Sequence, residues 1–295
     1  MSAARLTPTQ RGVLSMLCAI GFFAAMDTGL KLLSAHYPAA QVAALRGLAS
    51  LPLVAAWALA SVGARALLQV RWSLHLLRGV LAVLMMVTFT YALRSLPLTT
   101  AYALFFVAPL FITALSGPVL GERVGAGRWM AVAGGGIGVL VVLRPSADGL
   151  LGWGGLAVIG SAAAYAISAI TVRLIGKTDS TQTMVFWMVT MLSLGASALA
   201  LPGWQPLQAG DGWVIAGVGV VGALGQYAIT EAFRLGEASV IAPLEYTALV
   251  WGLGIDIALW HAYPDAITLV GAGIIVGSGL YLLRREHTHL EAEHP

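Results

Sequence analysis

Apolar residues run along this chain in long blocks, and polar residues gather in the short gaps between them. A helix that crosses a bilayer needs ~20 mostly apolar residues. Ten blocks meet that length: 11–33, 39–62, 73–94, 98–120, 127–144, 153–175, 181–202, 213–234, 238–259 and 265–283. The gaps carry turn chemistry or charge, as in His36-Tyr37-Pro38, Ser95-Leu96-Pro97, Arg144 to Gly149, Pro202 to Gly212 and Tyr263-Pro264-Asp265. Backbone polar groups in lipid must be satisfied within the segment, so the pattern predicts an all-α membrane protein of ten transmembrane helices. Short connections make neighbouring helices antiparallel and leave no room for a separate soluble domain.

Composition agrees with lipid as the solvent. Of the 295 residues, 59% are hydrophobic and 10% charged, and the mean hydropathy is +0.86. An ordinary soluble domain is about 25% charged, so a soluble or disordered chain is excluded. The net charge of +3 is too small and too dispersed for a nucleic-acid surface. Cys18 stands alone, which excludes an internal disulfide and any cysteine-based metal site; its place in an apolar run predicts a small buried side chain. Arg5 and Arg11 precede the first block like a signal peptide, but the block runs on through Asp27 and Lys31 without a cleavage site, so it reads as a retained helix.

Charge sets the orientation. With the N-terminus inside, the inner segments hold Arg5, Arg11, Arg65, Arg71, Arg123, Arg128, Arg173, Lys177, Arg234, Arg284 and Arg285; the outer ends hold only Lys31, Arg94 and Arg144. Eleven against three places both termini in the cytoplasm and requires an even number of spans.

The chain also repeats itself. Gly134 and Gly138 recur as Gly273 and Gly277, 139 residues on; Ala92-Leu93-Arg94 recurs as Ala232-Phe233-Arg234, 140 on; Gly12 and Lys31 recur as Gly154 and Arg173, 142 on. The near-constant offset predicts two five-helix halves, over 1–147 and 148–285, followed by a polar cytoplasmic tail over 286–295. Five is odd, so the second half enters the membrane inverted. That is the architecture of secondary transporters, which hold substrate between the halves near the midplane.

The run Tyr91-Ala92-Leu93-Arg94-Ser95-Leu96-Pro97-Leu98-Thr99-Thr100-Ala101, with Ala108-Pro109-Leu110, Leu120-Gly121-Glu122-Arg123, the glycines from Gly134 to Gly138, and Arg46 in Ala43-Ala44-Leu45-Arg46-Gly47, resembles the drug/metabolite transporter superfamily. The chain is similar to its ten-helix exporter branch, built from two EamA-type repeats. The resemblance implies a carrier of small metabolites, often amino acids, in the bacterial cytoplasmic membrane, without a cofactor. It does not fix the substrate. The second half departs from the pattern, with Trp260-His261 where a Gly-Glu pair is expected.

Ionisable residues inside lipid cost ~3 kcal/mol each on insertion scales and mark function by default. Asp27 and Lys31 share a helical face, either as a local ion pair or as a substrate or proton contact at the outer mouth. Arg46 either snorkels outward or pairs with Asp27 or Asp256. Arg78 and Glu231 sit at similar inner depths, as an opening gate or a static pair. Glu245 follows Pro243, which frees the Ser239 carbonyl; Glu245 then either meets a substrate ammonium or a proton, or is satisfied by neighbouring hydroxyls. Pro109 is the counterpart break in the first half. Two proline-broken helices at related places point to a central site. Candidate lining residues are Thr88, Tyr91, Tyr102, Phe105, Phe106, Tyr165, Gln226, Tyr227, Tyr246 and Trp251, with helix packing or the interfacial belt as the competing role of each.

Other signals lead nowhere. Gly217-Val218-Gly219-Val220-Val221-Gly222 matches a dinucleotide fingerprint inside an apolar span and reads as helix packing. The glycine faces of spans five and ten suit tight crossing within the bundle or in a weak homodimer. His287, His289 and His294 belong to a solvated tail. No catalytic or ATP-binding motif is present in the sequence. The expected function is secondary transport by alternating access, most plainly amino-acid export, with proton coupling an open question. Uptake of a larger solute, such as a vitamin or nucleoside derivative, is the alternative.

Overall fold

The computed structural model describes residues 7–33, 35–93, 104–122, 124–143, 153–261 and 265–293. These are mostly helical, with no strand among them. The helices are α1 (Pro8–Leu33), α2 (Ala39–Leu68), α3 (Trp72–Leu93), α4 (Ala108–Leu115), α5 (Ala126–Leu143), α6 (Trp153–Ile175), α7 (Thr181–Ala200), α8 (Gly212–Leu235), α9 (Ala238–Ile241), α10 (Ala248–Trp260) and α11 (Ala266–Glu293). Five stretches (8–30, 40–68, 153–175, 181–203 and 209–235) are long and apolar enough to cross a membrane, and shorter apolar helices lie over 72–85, 108–120, 126–141 and 269–278.

Element ends follow the hydrophobic pattern closely, with three instructive differences. α2 continues past the expected 62 to Leu68, but Gly63 breaks it at φ 77°, a conformation only glycine adopts without strain. Spans four and nine are not continuous helices. The tail expected over 286–295 carries α11 on to Glu293.

The packing pairs are antiparallel. Along α1 and α8, Gly12 meets the Gly236 backbone, Phe23 meets Gly225, Met26 meets Gly222 and Gly29 meets Val218. α2 lies on α7 through Gly47 against Ser193 and Ala44 against Ala196 and Ala200. α3 lies on α6, where the Ser161 hydroxyl donates to the Met85 carbonyl at 3.1 Å and Ala92 meets Val158. α5 lies on α11 through Gly134 against Ser278 and Gly138 against Ile275. α4 touches α9 and the turn that follows it. Exchanging α1 with α6, α2 with α7, α3 with α8 and α5 with α11 turns α3–α6 into α8–α1 and maps the α2–α7 and α5–α11 pairs onto themselves. The pairing pattern is therefore preserved when the two halves are exchanged.

Small residues bring these helices together, because lipid offers no hydrophobic force between them and close backbone approach supplies dispersion instead. The repeat glycines divide by role. Gly134 and Gly138 face α11, whereas Gly273 and Gly277 have open space around them, so their recurrence is not a shared packing contact. A Cβ at Gly219 would lie 2.7 Å from the Ala49 Cβ and 2.8 Å from its carbonyl oxygen. Gly219→Val should therefore force α2 from α8 and cost about 1–3 kcal/mol by overpacking. Gly217→Val, on the open side of the same helix, should leave the melting temperature in detergent unchanged.

Candidate functional site

The two broken spans carry the same word. Val107-Ala108-Pro109-Leu110-Phe111 in the first half recurs as Ile241-Ala242-Pro243-Leu244-Glu245 in the second, 134 residues on. Proline has no N–H to donate and clashes with the preceding turn, so neither span continues through it as an α-helix. In span four, residues 106 and 107 form a turn, and Pro109 sits in the first turn of α4, where a missing N–H costs nothing. In span nine, α9 ends at Ile241 and residues Ala242–Thr247 wind as a tighter 3-10 turn before α10 begins. Glu245 and Tyr246 sit on that turn. The Ala-Pro-Leu identity is a signal that span counting passes over.

Tyr165 of α6 donates its hydroxyl hydrogen to Glu245 Oε1 at 2.7 Å, joining the broken span to the bundle. The outward stripe of α6 is Trp153, Leu156, Gly160 and Ile167, all exposed; Tyr165 is half a helical turn from it and faces the bundle. Phe105 stacks on Tyr165 with centroids 5.7 Å apart, and Phe89 meets Phe105 edge-on at 5.7 Å. Phe106 lies 6.1 Å from Tyr246. Tyr246 is 1% exposed, held against Gly135, and its hydroxyl lacks a hydrogen-bond partner among the described residues.

A second polar group lies toward the Tyr37 end of the bundle. Asp27 is exposed, and the charge acting on it is that of Arg46 in α2. The Arg46 guanidinium carbon is 5.7 Å from the centroid of the Phe23 ring. Thr88 is satisfied by its own helix, donating to the Leu84 and Met85 carbonyls. Gln226 lies 3.4 Å from the Thr230 hydroxyl one turn on.

Several expected residues fall elsewhere. Tyr227 lies on the exposed stripe of α8 with Trp213, Val220 and Leu224, edge-on to Trp57 at 5.2 Å; helical period turns it away from the interior. Trp251 is half exposed and covers Gly21 on the flank of α1. Cys18 is exposed on the outward side of α1, not buried. Tyr102 lies outside the described residues, as do the side chains of Lys31, Tyr91 and Asp256.

Charge is densest at the end that carries Arg11. Glu231 receives Arg234 through Nε at 2.9 Å and Nη2 at 2.8 Å, takes a hydrogen bond from the Thr181 hydroxyl, and has Arg11 at 4.0 Å. The expected Arg78–Glu231 pair does not form. Arg78 is buried against α7, donating to the Met184 carbonyl at 3.4 Å, while Arg234 reaches Glu231 from one turn along the same helix. Sequence reading missed the rest of the cluster, because it treated these arginines only as topology signals. Gly121 turns the chain at φ 73°, and Glu122 after it accepts the Ala238 N–H at 3.0 Å and faces Arg173 Nε at 3.5 Å. Arg128 pairs with Glu237, and His75 Nε2 is 2.8 Å from Asp179. The overlooked signal was that Glu122, Asp179, Glu231 and Glu237 all fall at that one end. Except for Arg234–Glu231 and Thr181–Glu231, these ties join the first half to the second.

At the opposite end, Asp211 accepts the Tyr37 hydroxyl at 2.7 Å and lies 2.9 Å from His36 Nδ1. Burial pushes the Tyr37 hydroxyl above its ordinary value, so it stays protonated and donates.

Two halves of matching contact pattern, apolar outer stripes and proline-broken helices with polar groups turned inward fit a membrane transport protein. The particular family follows from sequence comparison: the chain belongs to the EamA-like transporter family, which matches residues 10–144 and again 152–284. It is 33% identical to a riboflavin transporter of Vibrio cholerae over 214 residues, 72% of either chain. It is 28% identical to a pseudopaline exporter of Pseudomonas aeruginosa over 276 residues, 92% of this chain and 96% of that one. An S-adenosylmethionine uptake transporter of Rickettsia prowazekii is 27% identical over 232 residues, 79% of either chain. A solved crystal structure shares the fold, with a TM-score of 0.81 at 19% identity over 94% of this chain and 99% of that one.

Proposed function

We propose that this transporter is a secondary carrier of the bacterial inner membrane, both termini cytoplasmic, that exports small amino-acid-like metabolites by alternating access. The observation that carries the reading is the Tyr165–Glu245 hydrogen bond, made on a broken helix and facing away from the outward stripe. Glu245 offers a coupling proton, or a cationic group of the substrate other than its α-ammonium, a carboxylate whose partner is a neutral hydroxyl. Glu231 spends its oxygens on Arg234, Thr181 and Arg11, which makes it a fastening and not a carrier of protons. In this reading the cross-half ties around Glu122, Glu231 and Glu237 hold the cytoplasmic end shut and must release for the halves to rock.

Uptake of a larger solute is the second reading. The names of the riboflavin and S-adenosylmethionine relatives favour it, as does the Phe89–Phe105–Tyr165 ring series, which suits a flat solute. Reconstituted vesicles of both orientations, with and without an imposed pH gradient, separate the two. Export predicts net movement of amino acids from the Arg11 side, faster with the gradient if protons are coupled. Accumulation of riboflavin or S-adenosylmethionine from the other side selects uptake, and no movement above empty vesicles refutes both.

A further inference from the structure

Asp27 and Arg46 are an open pair. On α1 the outward stripe runs through Leu14, Cys18, Ala25 and Leu32, all exposed. Asp27 lies half a helical turn from that stripe, on the side of the buried Met16 and Ile20, and is nevertheless exposed. Asp27 is therefore accessible from the side of α1 that packs on the bundle. Phe23, one turn before Asp27 on the same face, carries Arg46 over its ring, 5.7 Å from centroid to guanidinium carbon. The two charges act on one another but do not close to an N···O contact within 4 Å, whereas Arg234 and Glu231 do so at 2.8 Å.

The gap is fixed by backbone packing. A Cβ at Gly47, next to Arg46, would strike Ser193 of α7, and the Ser50 hydroxyl lies 2.9 Å from both the Arg46 and the Gly219 carbonyls. Opposite charges held apart each lack a close counter-charge, and one ligand carrying both charges supplies both.

We infer that Asp27 and Arg46 form a head-group subsite for an α-amino acid moiety, with the ligand ammonium on Asp27 and its carboxylate on Arg46. The subsite rests on the transport reading and adds to it the two residues that hold the substrate's head group, which are distinct from Tyr165 and Glu245.

The test is ligand-induced thermal stabilisation of the purified full chain in detergent. The probes are L-phenylalanine, L-methionine and L-lysine, each beside its N-acetyl and amide forms. Wild type should be stabilised by at least one free amino acid and not by its blocked forms. Asp27→Asn and Arg46→Gln should each weaken that amino acid about tenfold or more, and Arg46→Lys should keep the preference. If Arg46→Gln fails to fold, Asp27→Asn and Arg46→Lys still decide the matter. No stabilisation by any free amino acid, equal stabilisation by blocked forms, or undiminished affinity in Asp27→Asn overturns the subsite. Binding of this kind without flux in vesicles refutes transport and leaves the subsite standing; flux with unaltered head-group preference in both charge variants does the reverse.

Discussion

Glu245→Gln is expected to lower the initial rate of transport in vesicles at least about tenfold, the order of effect of losing one interaction with a charged group. The fold should survive the change. The Gln amide oxygen still accepts the Tyr165 hydroxyl at the place where the carboxylate oxygen now does so at 2.7 Å. Only the negative charge goes. Tyr165→Phe performs the converse operation: the charge stays and its hydrogen-bond donor is removed, with a cost near 1 kcal/mol in stability and a smaller loss of rate. If protons are coupled at Glu245, residual flux in Glu245→Gln should ignore an imposed pH gradient. A carboxylate that only braced the broken helix would give a different pattern, with flux retained in Glu245→Gln and the melting temperature lowered in Tyr165→Phe alone. Measuring rate and melting temperature on the same preparations, with the double variant completing the cycle, tells the two apart.

Glu231→Ala is expected to destabilise the fold clearly. It removes the acceptor of two Arg234 hydrogen bonds and of the Thr181 hydroxyl, and it strips Arg11 of its counter-charge. Breaking a fully buried pair costs about 3–5 kcal/mol; here about 2 kcal/mol is expected, because the Arg234 side chain is 31% exposed and water screens what remains. Glu231→Gln keeps an acceptor for Thr181 and should recover part of the loss. The check is a melting curve in detergent for the three proteins. Unchanged melting in Glu231→Ala would mean that its contacts to Arg234, Thr181 and Arg11 do not stabilise this conformation.

Much of the architecture was legible in the sequence. Burying a helix in lipid demands an apolar block of fixed length, so α6 could be bounded at 153–175 and α8 within one residue of 212–235 without coordinates. The repeat offset marks two halves, and the α3–α6 and α1–α8 pairs exchange when those halves are swapped. Proline chemistry is local too and marked the interruption at Pro243, although α2 runs on through Pro52. The tertiary structure alone decided which polar groups meet. The hydroxyl that reaches Glu245 comes from Tyr165, 80 positions away, and the N–H that Glu122 caps belongs to Ala238, 116 positions away. It also decided which aromatics face inward: Tyr165 does, while Tyr227, equally central in its span, lies on the exposed stripe beside Trp57. The reason lies in the range of the forces. Length, hydropathy and proline act within one helix and are written in consecutive residues. Rotation of each helix about its axis, and the charge partner it finds, depend on where glycines such as Gly47 and Gly219 let two backbones touch, and that is settled only when both helices are present.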